Sequence, residues 1–278
     1  MIMNSRFVLG VIVSITAIFT ACDNRSRTPA TTATTTFAEV GPAFMDYTVV
    51  NVFPHDTSSY TEGLLVHDNK LFESTGRVGF SKFAEIDLTT GKPVREHYID
   101  KTVFGEGIAI FDNKIYQLTY RSNKVFVYDF NTFKKIAEYP WPGEGWALTH
   151  DGENLIASTG SSNLQFLDPN TLQVKKTLGV TDQNGPADNI NELEYVDGFI
   201  YANQFMTNNI LKIDAKTGRV VAKADLTDIF AQGGKVFNPT LLPDPNEDVL
   251  NGIAYDSARA SFLVTGKQWP YLFEIKFR

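Results

Sequence analysis

The chain has 278 residues, 43% of them hydrophobic and 13% aromatic, and 32 acidic side chains against 25 basic ones give a formal net charge of −7. A chain of this length buries a substantial core, and its many short aromatic-rich apolar runs lean toward β structure. The acidic balance, with no basic stripe able to neutralise phosphates, excludes nucleic acid as a partner.

Arg6 precedes an apolar run over 7–21 that is short for a bilayer span and the right length for a signal-peptide core. The run ends in Phe19-Thr20-Ala21-Cys22, and Cys22 is the only cysteine. A lone thiol directly after small residues resembles a bacterial lipobox, in which the cysteine is lipidated and becomes the mature N-terminus. An incidental cysteine in an ordinary signal peptide is the alternative. The expected organisation is a lipoprotein-type signal at 1–22, a flexible Thr/Ala-rich tether at 23–45 and a folded domain at 46–278. The expected location is outside the cytoplasm, anchored to a membrane and facing the periplasm or the cell surface. With no second cysteine there is no disulfide, so stability must come from the core.

The folded part repeats itself. Glu62-Gly63-Leu64-Leu65-Val66-His67-Asp68 has the form of Glu106-Gly107-Ile108-Ala109-Ile110-Phe111-Asp112, and both continue as Asn, Lys, an aliphatic residue and an aromatic. Weaker copies start at Gly145, Asn191 and Asn251, so the five starts lie 44, 39, 46 and 60 positions apart. Five units of about this length fit an all-β, five-bladed β-propeller with four short antiparallel strands per blade. Strand-like runs at 83–87 and 125–129 each lead into a turn, Thr89-Thr90-Gly91-Lys92 and Asn131-Thr132, and Asp214-Ala215-Lys216-Thr217-Gly218 repeats the idea. An outer strand at 220–224 follows. The lack of long amphipathic helices removes the α/β classes. Strand-like 47–53 precedes the first copy and strand-like 271–277 ends the chain, so the N-terminal strand is expected to complete the last blade and close the ring.

The longest interval holds an excursion at 225–249, with a short helix expected at 226–231 and a proline-bearing stretch at 238–245. Such an excursion reads as a surface loop near the functional face, or as a plain connection between blades. The repeat starters Glu62, Glu106, Gly145, Asn191 and Asn251 should ring one mouth of the central channel. Two carboxylates and two amides there suit chemistry, a glycosidase pair included. They equally suit a structural role, holding channel waters or a cation. The four histidines, His55, His67, His97 and His150, show no metal-ligand spacing and read as surface or strand residues. No serine sits in a nucleophile elbow, and the glycines at 105 and 107 lack the helix start and lysine of a phosphate loop.

The chain after Tyr47 resembles the plant and bacterial glutaminyl cyclases (glutaminyl-peptide cyclotransferases), a five-bladed propeller family. The motifs that carry the resemblance are Tyr60-Thr61-Glu62-Gly63-Leu64-Leu65, Leu71-Phe72-Glu73-Ser74-Thr75-Gly76, Phe104-Gly105-Glu106-Gly107, Gly145-Trp146, Asn191-Glu192-Leu193-Glu194-Tyr195, the stretch 248–254, and Thr265-Gly266-Lys267-Gln268-Trp269-Pro270-Tyr271 with the four residues after it. The resemblance implies conversion of an N-terminal glutaminyl residue to pyroglutamate with release of ammonia, by a monomer acting on peptides or proteins without a required cofactor. It implies Glu106 as the proton shuttle, Lys267 and Asn191 as groups that steady the oxyanion or orient the amide, and Phe104 and Trp146 as pocket walls. The glycines beside Glu106 are expected to give substrate room to approach. Three further substrate-binding positions depart in aromatic type but keep a pocket wall: Tyr60 stands where phenylalanine is common, and Tyr120 and Phe205 where plant members have tryptophan. The fourth departure is chemical, since Glu62 replaces the usual glutamine and is expected to bind substrate. The alternative to an enzyme is a propeller that binds peptide termini or a cation in its channel.

Overall fold

Each repeat folds as a four-stranded antiparallel meander running from the channel outward. The computed structural model describes residues 41–237, 242, 244 and 247–278; the expected signal, Cys22 and the tether up to residue 40 lie outside them. Blade 1 is Thr61–His67, Lys70–Thr75, Lys82–Asp87 and Lys92–Tyr98, from inner to outer strand. Blade 2 is Gly105–Phe111, Lys114–Thr119, Lys124–Asp129 and Lys135–Pro140. Blade 3 is Leu148–His150, Leu155–Ser158, Asn163–Leu167 and Val174–Gly179, and blade 4 is Ile190–Val196, Phe199–Gln204, Asn209–Asp214 and Val220–Asp225. Blade 5 takes Leu250–Asp256, Ser261–Gly266 and Tyr271–Phe277 from the end of the chain, and its outer strand is Tyr47–Pro54 from the beginning. The ring therefore closes as the sequence indicates, with Tyr47 opposite Phe277 and Pro54 opposite Tyr271.

The local chemistry of the repeat explains the meander. The first hairpin turns at Asp68-Asn69 (φ 50° and 60°) and Asp112-Asn113 (φ 49° and 55°), left-handed pairs that Asp and Asn tolerate and that match strand twist. In the outer hairpin an Asp carboxylate accepts backbone N–H groups of the turn. Asp87, Asp129 and Asp214 do so for Thr90, Thr132 and Thr217, and Asp168 does the same for Thr171, a fourth copy that the sequence pattern had not exposed.

Apolar side chains fill the space between blade faces, as where Phe72, Phe83, Ile108, Phe126 and Tyr128 meet between blades 1 and 2. Burying each such side chain is worth about 1.5–3 kcal/mol. At the channel every seam carries a hydrogen bond: Ser74 Oγ to the Glu106 carbonyl (2.6 Å), Gly107 N–H to the Trp146 carbonyl (2.8 Å), and Ser158 Oγ to the Asn191 carbonyl (2.9 Å). Gly252 N–H to Asn203 Oδ1 (3.0 Å) and Asn251 Nδ2 to the Thr61 carbonyl (2.9 Å) complete the circle.

Two boundaries differ from expectation. Ala43–Phe44 is not tether: it adds in parallel to the outer strand of blade 4, with Ala43 opposite Ala222, and Met45 is buried beside it. That strand would otherwise present an open edge, and the chain entering blade 5 covers it. The helix of the excursion is the single turn Ile229–Gln232, with Ile229 buried, a little later than 226–231.

Candidate active site

Four inner strands carry a bulge at their first residues, and the bulges fall on the repeat starters. Pairing slips between Thr61 and Gly63, Gly105 and Ile108, Ile190 and Leu193, and Leu250 and Ile253. A bulge re-aims the side chain it carries, here at Glu62, Glu106, Asn191 and Asn251. Three of these, Glu62, Glu106 and Asn191, line a cavity of about 190 Å³. Asn251 is turned aside instead. It is fully buried and its Nδ2 donates to the Thr61 carbonyl and to Glu62 Oε2 (3.2 Å), so it braces Glu62. Gly145 is likewise outside the lining, and its neighbour Trp146 takes the place.

The walls come from two recurrent positions, just before an inner strand and just after a second strand. Tyr60, Phe104 and Trp146 occupy the first, and Tyr120, Phe205 and Lys267 the second. In blade 1 the second position is Gly76, where an added Cβ would lie 2.4 Å from the Phe104 ring, so the missing side chain lets that ring stand in the wall. Tyr60, Phe104 and Tyr120 form a chain of ring contacts at 6.1 and 5.7 Å, and Trp146 meets Phe205 edge-on at 5.4 Å. All nine pocket residues named from the sequence converge on this one cavity.

Glu106 is 5% exposed, and no hydrogen bond engages its carboxyl among the described residues. Burial, and then the charge of Glu62, push its pKa well above the usual carboxylate value, against the pull of Lys267. Lys267 Nζ donates to Glu62 Oε1 at 2.7 Å and lies over the Tyr60 ring at 4.4 Å. Burial also raises Glu62, with Lys267 opposing it. Asn191 is 2% exposed and its Oδ1 has no partner, leaving the amide free for an incoming group.

Residues 20–277 match the family described as glutamine cyclotransferase. The chain belongs to the glutamine cyclotransferase family. It is 36% identical over 234 residues to the glutaminyl-peptide cyclotransferase of Arabidopsis thaliana, covering 83% of this chain and 71% of the plant protein. The crystal structure of the Myxococcus xanthus glutaminyl cyclase superposes with a TM-score of 0.76 at 33% identity, over 85% of this chain and 98% of that one.

Three features of this cyclotransferase differ from the sequence reading. The glycines beside Glu106 do not open space for substrate: an added Cβ on Gly107 would lie 2.5 Å from Ala147 Cα, and one on Gly105 2.8 Å from Gln117 Nε2, so both serve close packing. His55 is neither a surface nor a strand residue. It is buried after the closing strand, with Nδ1 2.7 Å from the Trp269 carbonyl and Nε2 2.9 Å from Glu73 Oε1. Finally, Glu247 lines the pocket although nothing in the repeat marks it, its Oε2 accepting the Tyr60 hydroxyl at 3.2 Å. It sits at the end of the excursion before blade 5, and the loop reading of that excursion was the signal that pointed toward it.

Proposed function

We propose that this chain converts the N-terminal glutaminyl residue of peptides into pyroglutamate and ammonia, with Glu106 moving the proton. The observation that carries this reading is a buried, unengaged carboxyl of raised pKa beside a lysine and an unpartnered amide. Amine and side-chain amide belong to one residue, so holding a folded-back conformer supplies orientation at little cost. The α-ammonium of a peptide has a pKa of about 7.7–8.0. A carboxyl raised by burial lies closer to the amine in acidity than an ordinary carboxylate does, which eases transfer of the proton from the substrate nitrogen.

The amine nitrogen then attacks the side-chain Cδ and forms the ring bond. Glu106 gives a proton to the departing NH₂ and takes one from the attacking nitrogen; the carbon–nitrogen bond breaks and NH₃ leaves. Lys267 and the Asn191 amide are the groups that meet the oxyanion. Aromatic walls exclude water, which would otherwise compete for the same acyl carbon. The scheme calls on no metal. Glu62, bound by Lys267 and Asn251, is less suited to be a second free acid than to hold Lys267 and receive the substrate ammonium. Replacing Glu106 by Gln should abolish ammonia release from a Gln-initiated dipeptide in a coupled assay while the circular dichroism spectrum stays that of the wild type. Retained turnover in that variant would remove the shuttle.

We also propose that the enzyme works outside the cytoplasm as a monomer held to a membrane through a lipid on Cys22, on the strength of the apolar run that ends there. Cys22→Ser should move the protein from the membrane to the soluble fraction of expressing cells. An unchanged partition would exclude that anchor.

A further inference from the structure

We propose that Glu247 makes the pocket mouth a charge selector, favouring substrates whose residue after the N-terminal glutamine is Lys or Arg. The inference rests on the cyclotransferase reading. A cavity of about 190 Å³ is below the roughly 300–1,000 Å³ of sites that enclose drug-sized ligands. It takes one residue, and the peptide that follows must cross the rim.

Three cations stand at the wall, Lys267 in the lining and Arg77 and Arg121 over the Tyr60 and Tyr120 rings, and each is paired with a carboxylate. Lys267 faces Glu62 at 2.7 Å, Arg121 faces Glu144 at 2.7 Å, and Arg77 faces Asp248 at 3.7 Å. Glu106 lies deeper, and burial raises its pKa, which disfavours its charged form. Glu247 is exposed, and among the described residues no cationic side chain lies within ion-pair distance of it. The Tyr60 hydroxyl, donating to Glu247 Oε2, fixes the carboxylate over the wall without neutralising it. Its field reaches across the opening, contributing to the raised pKa values of Tyr60 and Glu62 on one side and Tyr120 on the other. A cationic residue leaving the pocket meets that carboxylate in a site with low-dielectric aromatic walls, while an acidic residue meets repulsion.

The test compares kcat/KM for Gln-Lys, Gln-Ala and Gln-Glu peptides of one length. The expected order is Lys over Ala over Glu, about fivefold between the extremes for an exposed charge contact. The ratio should shrink in about 0.5 M salt, where the screening length falls to a few ångströms. Glu247→Gln should collapse the ratio toward one, and Glu247→Lys should invert it. Equal values in the wild type, a preference for the acidic peptide, or a ratio that survives Glu247→Gln would each overturn the proposal. The same three peptides titrated calorimetrically into the Glu106→Gln chain give the ratio as dissociation constants without turnover, so a failed proton shuttle and a failed selector give different results.

Discussion

Glu106 and Glu62 show how one substitution in a lining bears on the acidity of its buried neighbour. Burial is the larger reason that Glu106 is raised, and the Glu62 charge adds to it, while Lys267 pulls the other way from its place against Glu62. Where the family resemblance leads one to expect glutamine, this chain holds a carboxylate. Its consequence is directional. Glu62→Gln removes a raising influence and frees Lys267 from its partner, and both changes lower the Glu106 pKa. The limb of the kcat/KM–pH profile that belongs to Glu106 should therefore move toward acid, since that profile reports the free enzyme. An unmoved limb would limit Glu62 to holding Lys267 in place.

At the scale of strands and turns, what could be read from sequence was what repeats. Each starter residue could be found because glycine, aliphatic and aromatic positions recur around it, and the Asp-Asn turns recur for the same local reason. Which starters face the pocket could not be read, because the bulges that aim them are a property of register against the second strand. Asn251 has the same local pattern as Asn191 and ends up bracing Glu62 instead of lining the cavity. The neighbours of Asn191 illustrate a second limit. Glu192 Oε2 accepts the Ile253 N–H at 2.7 Å and Glu194 Oε1 the Tyr255 N–H at 3.1 Å, crossing from blade 4 to blade 5, and burial pushes Glu194 up to about 8. Innermost strands have an unpaired edge, so their N–H groups need acceptors from the next blade. A linear pattern does not say which carboxylate will serve. Glu247 was hidden for a third reason, since it belongs to the one segment with no counterpart in the other blades.

The closing seam of the ring is also a seam of the candidate site, because Tyr60 and Glu62 come from blade 1 and Lys267 from blade 5. Beneath them His55 joins the two sides. Its ring contacts the Trp269 carbonyl and Glu73, and Glu73 also accepts the hydroxyls of Thr61 at 2.7 Å and Ser59 at 3.1 Å, while Gln268 N–H donates to the Ser59 carbonyl at 2.7 Å. Burial, the largest single influence, would lower His55 and raise Glu73; the partner's charge and the hydrogen bonds around each together outweigh it, so His55 is raised above 6.5 and Glu73 held below 4.5. The raised histidine stabilises the fold fully below pH 6.5, and that contribution is lost as pH climbs through its folded value. The depressed carboxyl stabilises fully above pH 4.5, and that contribution is lost as pH falls through its folded value. The pair is therefore strongest between those limits. Glu73→Gln leaves a buried cation without its partner and should cost about 3–5 kcal/mol in urea unfolding. The gap from wild type should be widest between pH 4.5 and 6.5 and narrow on both sides. The double variant His55→Gln/Glu73→Gln should lose less than the sum of the single losses, because no lone charge remains. Additive losses with a pH-independent gap would show that the two residues fill space at the seam without acting as an ion pair.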